Sequence, residues 1–148
     1  MDVTAPLPGP PAAPDPTLWR ETLSPELRTL TEITLAHALE AIVDAGSPML
    51  PFAVTEDPDG RTLCRFDGDP TAAAARARDH ARASTGPRAA VAWDGWLTVG
   101  GIRQDAVVVR ASERGRASVV VAHRYRETLD GTVVVGKPVL VGPGEPVL

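Results

Sequence analysis

The chain has 148 residues, 43% of them hydrophobic and 23% charged, with a formal net charge of −4. That is about one domain of ordinary globular composition, which excludes a wholly disordered chain. No run approaches the roughly 18 consecutive apolar residues of a membrane span, and the single cysteine, Cys64, excludes an internal disulfide or a multi-cysteine metal site.

The N-terminal MDVTAPLPGPPAAPDP has neither the basic nor the apolar region of a secretory signal, so the expectation is a cytoplasmic protein without a membrane partner. Charge is unevenly divided. Residues 1–70 carry twelve acids and four arginines, net −8, whereas residues 71–148 carry seven acids and eleven bases, net +4. Opposite halves on different faces would favour head-to-tail self-association, hence a homo-oligomer. The acidic total and the lack of any Lys/Arg run argue against nucleic acid. Only one base, Lys137, is lysine, and the Arg, Ala, Pro, Gly and Val bias resembles that of proteins from high-GC bacterial genomes.

Residues 1–17 hold six prolines and little to bury, and read as a disordered arm ahead of a single domain over 18–148. A first helix opens at Ser24-Pro25-Glu26, with a cap, a proline at the first helical position and an acid in the first turn. Leu27, Leu30, Leu35, Ala38, Leu39, Ile42 and Ala45 form its apolar stripe, and Gly46 with Pro48 ends it. Met49 to Glu56 and Thr62 to Phe66 read as strands joined by the turn Asp57-Pro58-Asp59-Gly60. Asp69-Pro70 opens a second, alanine-rich helix that stops before Gly86-Pro87, with Arg78 and Arg82 on one solvated face. From Arg88 onward lie fourteen of the seventeen valines, cut by glycine turns into strands near 88–93, 96–99, 102–111, 116–126 and 132–137.

The order α-β-β-α-β-β-β-β-β predicts an α+β domain: two helices on one face of a mainly antiparallel, meander-type sheet of about seven strands. Its leading helix, hairpin, helix and strands resemble in order the roadblock and other profilin-like folds. This likeness of topology is carried by no sequence motif and implies no function.

Phosphate-loop, dinucleotide, zinc-protease and nucleophile-elbow motifs are absent, and the spacing of His37, His80 and His123 suggests no metal site. No cofactor is expected. Hairpin arithmetic supplies one constellation. Two-residue turns at Asp94-Gly95 and Gly100-Gly101 would set Trp93 opposite Trp96 and Trp96 opposite Asp105. A three-residue loop ending at Gly115 would set Asp105 opposite His123, with Arg103 and Tyr125 one step along. A loop of two or four residues would instead set Asp105 against Arg124. An aspartate holding the imidazole would leave its other nitrogen as a base, the indoles would wall a planar ligand, and Arg103 would take an anionic group. The same pairs also occur as plain sheet contacts. Cys64, between Thr62 and Phe66 on one strand face, reads as an inert, buried thiol. The leading expectation is therefore a non-enzymatic accessory protein that binds a protein partner or itself. The alternative is a small-molecule-binding protein or small hydrolase using Asp105 and His123 beside Trp93 and Trp96, with Arg103 and Tyr125 as ligand contacts.

Overall fold

The computed structural model describes residues 15–116 and 118–148, so all but the last three residues of the proline-rich arm lie outside it. A short 3₁₀ helix (Pro16–Thr22) leads into α1 (Pro25–Ala45), followed by β1 (Phe52–Asp57), β2 (Gly60–Arg65), α2 (Pro70–Arg82), β3 (Arg88–Val99), β4 (Ile102–Glu113), β5 (Ser118–Thr128) and β6 (Gly131–Gly144). Both helices start where side-chain caps place them. Ser24 Oγ accepts from the Leu27 amide at 3.1 Å, and Asp69 Oδ2 accepts from the Ala72 amide at 3.0 Å.

The six strands form one antiparallel sheet in the order β2-β1-β3-β4-β5-β6. The domain is thus α+β, with β3 to β6 a meander as expected and one strand fewer than the sequence suggested. The missing division is at Asp94-Gly95. β3 runs straight through it and pairs along its whole length with β4, from Arg88↔Glu113 to Val99↔Ile102. Gly95 serves another purpose there. A Cβ on it would lie 3.2 Å from Trp93 Nε1 and 3.1 Å from Val108 Cγ2, so its bareness lets the Trp93 indole lie across the strand. The expected Gly100-Gly101 turn does form, with both glycines at positive φ (57° and 79°).

The helices lie on opposite faces, which corrects the single-face expectation. Strand side chains alternate, so Phe52, Val54, Ala90, Ala92, Val107, Val109 and Val121 share one face and cluster with Leu27, Leu30, Leu35, Ala38 and Ile42 of α1. Ala53, Ala89 and Val91 share the other face and cluster with Ala77 and Ala81 of α2 and with Val147. Alanine spacing lets α2 approach the sheet closely. The two-sided cover explains why hydrophobic residues run nearly unbroken through Ala89–Ala92 and Ala106–Val109, as in any strand buried on both faces. Beside α1, the 3₁₀ helix lies against β6 and delivers Trp19, 1% exposed, to the core. Thr31 and Thr34, which the apolar stripe omitted, are fully buried because their hydroxyls donate to the Leu27 and Leu30 carbonyls at 2.7 and 2.8 Å.

Candidate functional site

β1 accompanies β3 only from Arg88 to Ala92. From Trp93 to Val99, β3 pairs with β4 alone and its other edge has no backbone partner among the described residues. Beside this edge, the segment leading into β1 and the start of α2 enclose a half-open cleft of about 450 Å³. That volume falls within the usual range for small-ligand sites.

Asp94, read from sequence as a turn residue, anchors the cleft wall. Its Oδ1 accepts from Tyr125 Oη at 2.6 Å, and its Oδ2 accepts from Ser47 Oγ at 2.6 Å and from the Met49 amide at 3.1 Å. One mid-strand carboxylate thereby ties the segment ahead of β1 to β3 and β5. Burial, reinforced by the hydrogen bond to Asp94, pushes the Tyr125 hydroxyl far above its usual pKa. Tyr125 therefore stays a proton donor near neutral pH.

Trp93 and Trp96 are three residues apart in one strand and point to opposite faces, so they do not oppose one another as the proposed turn required. Trp93 pairs with Val108, and the Arg110 guanidinium lies 5.5 Å from its ring centre. Trp96 is opposite Asp105, as expected, and 55% exposed. The Arg103 guanidinium stacks on it at 3.9 Å from the ring centre.

The loop from β4 to β5 is longer than the three residues assumed, and the register slips by two. His123 lies opposite Val107, and Arg124 opposite Ala106. Asp105 therefore faces neither His123 nor Arg124, and the same register extended by one step brings it level with Tyr125. Arg103 in turn is not level with Tyr125. Because the slip is even, Asp105 and His123 keep a common face, yet no hydrogen bond joins them. His123 is 7% exposed; its Nε2 meets the Gly136 carbonyl at 3.0 Å, and its buried Nδ1 has no partner. Burial lowers its pKa, with Arg124 adding to the effect against the Gly136 hydrogen bond. This is a neutral, structural histidine. Arg124 itself turns to the other face and donates to Gln104 Oε1 at 2.9 Å.

The cleft nonetheless gathers Trp93, Trp96, Arg103, Asp105 and Tyr125, leaving His123 outside. It adds Asp94 and, from α2, Arg78, which the sequence assigned to a solvated face. One signal could have restored Asp94 to a strand. A ten-residue β4 folding back across Gly100-Gly101 needs a partner of similar length, which 96–99 alone does not supply. Cys64, half-buried opposite Ala53, is on the α2 face and away from the cleft. Among the described residues, no three His, Cys, Asp or Glu side chains group to hold a metal ion, and no helix is long and apolar enough to cross a membrane. Comparison with known proteins finds no matching family model, no matching curated sequence and no matching solved structure.

Proposed function

We propose that the protein is a non-enzymatic accessory protein that takes up an extended segment of a partner chain along the free edge of β3. The observation that carries this reading is that the unpaired edge of β3, beyond Asp94, has no proline, bulge or charged side chain, unlike the outer strands β2 and β6. Sheet edges are normally blunted by short length, charge, proline or bulges. β2 carries Arg61 and Arg65. β6 is interrupted by Gly136-Lys137-Pro138, by Pro143 and by two register shifts against β5. From Gly95 to Val99, β3 has no proline and no charge, and Trp96, Val99 and Ile102 stand exposed around its end. An added strand would complete the ladder with main-chain hydrogen bonds and set side chains against the cleft walls.

A second copy of the chain is one source of such a strand, and the divided charge favours self-association. Light scattering decides this: a mass that rises with concentration and falls with salt supports a homo-oligomer, and a constant monomer mass removes it. The edge reading is tested by selecting binders from a random decapeptide display library, then comparing each peptide with a version N-methylated at alternate residues. Loss of binding on methylation supports strand addition; equal binding refutes it.

The runner-up is a small-molecule site, favoured by the cleft volume and by Arg103 held flat on Trp96. A monomer whose tryptophan fluorescence responds to a small anionic aromatic, and which selects no peptide, would support it. The hydrolase version requires that His123→Ala abolish turnover with stability nearly unchanged. The buried ring bonded to Gly136 leads us to expect the reverse, a clear loss of stability.

A further inference from the structure

We infer that the segment received by β3 carries two acidic side chains an odd number of positions apart, one held by Arg103 and the other by Arg78; this rests on the strand-addition reading above. Arg103 and Arg78 both line the cleft, and neither has a carboxylate within ion-pair distance among the described residues. Arg88, at the other end of β3, sits between Glu56 and Glu113 at 3.0 Å each. Of the acids lining the cleft, Asp94 is fully engaged by Tyr125, Ser47 and Met49. Asp105, exposed at the mouth, is the remaining one. The lining is charge-balanced as a whole, two arginines against two aspartates, but both arginines are left without an ion-pair partner, which an acidic segment would supply.

Placement fixes the spacing. Arg103 lies over Trp96 on the α1 face of the sheet, and Arg78 projects from α2, which packs on the other face. A strand added at the edge presents successive side chains to opposite faces. One acid can reach Arg103 and a second Arg78 only if they differ in parity along the segment. Arg103 is also pre-set for the task. Stacked at 3.9 Å on the indole, its guanidinium loses little freedom on binding and keeps its edge donors for a carboxylate.

The test uses the whole chain and the decapeptide display library. The expected result is enrichment of peptides bearing two Asp or Glu at odd separation. Arg103→Gln should weaken binding about tenfold and erase the acidic preference at one position only, and Arg78→Gln should do the same at the other. Asp105→Asn should tighten binding. Unchanged melting temperatures establish that each variant is folded, and each arginine can also be replaced by lysine, which should restore part of the affinity. Enriched peptides without acids, or with acids at even separation, overturn the inference while strand addition stands, provided that N-methylation still abolishes binding. Peptides that bind equally when N-methylated, or a library that yields none, overturn both.

Discussion

The two halves of β3 are one strand in two environments. From Arg88 to Ala92 it has a strand on each side, a helix on each face and small side chains that are almost wholly buried, apart from Arg88 at its start. From Trp93 to Val99 it has one strand partner, large aromatic residues and substantial exposure. The arginines repeat the contrast. Arg88 is bracketed by two carboxylates, whose hydrogen bonds outweigh the opposing effect of burial and raise its pKa. Arg103 rests on an indole with no carboxylate within ion-pair distance among the described residues. Groups satisfied within the chain hold the fold together, and those left unsatisfied at the far end are where a partner can add contacts.

Substitutions along this axis can break or sharpen that contrast. The largest effect should come from Arg88→Met, which removes the guanidinium shared by Glu56 and Glu113, each side chain only 11% exposed, and leaves them Arg61 and Arg116 respectively. We expect a loss of about 3–5 kcal/mol in urea unfolding, because two charge-assisted hydrogen bonds are lost and the remaining partners, Arg61 and Arg116, are far more exposed than Arg88. A loss below 1 kcal/mol would mean that the buried end is not electrostatically held. Asp94→Ala should cost about 2–4 kcal/mol, since it removes three hydrogen bonds and leaves Tyr125 Oη buried without an acceptor. Tyr125→Phe should cost less than half as much by the same assay. Gly95→Ala should cost about 1–3 kcal/mol through overpacking and shift the Trp93 emission as the indole is displaced. No change in emission would remove the role given to that glycine.

His123 supplies a pH test. Its folded pKa is lowered from the ordinary 6.5, so between the two values the unfolded chain binds more protons. Its contribution to stability is intact above about 6.5 and is lost as pH falls from there through the depressed folded value. His123→Gln should flatten the decline in unfolding free energy on the acid side of neutrality. An unchanged slope would exclude this histidine as its cause. The smallest effect on stability belongs to Trp96→Ala. More than half exposed, it should alter unfolding free energy by about 0.5 kcal/mol or less while abolishing binding of the selected peptides. The two ends of β3 would then differ in kind: substitutions at one end change folding, and at the other, recognition.

The sequence by itself determined what local physics controls. Ser24 and Asp69 mark the helix starts, since a side-chain oxygen satisfies free amides regardless of what the helix packs on. Gly100-Gly101 fixes the β3–β4 register and with it Trp96 opposite Asp105, because a two-residue loop permits one pairing. Gly95 and the β4–β5 loop were misread because glycine is equally at home in a turn and beneath an indole, and because loop length is not a local property. The choice was made by Trp93 lying across Gly95 and by Tyr125 reaching Asp94, contacts between residues that the chain does not place side by side. Which face each helix covers, and that β1 begins only opposite Ala92 and so leaves β3 an open edge, likewise depended on how the strands were laid together. Propensity and capping act within a few residues, whereas edges, faces and clefts exist only once distant segments have paired.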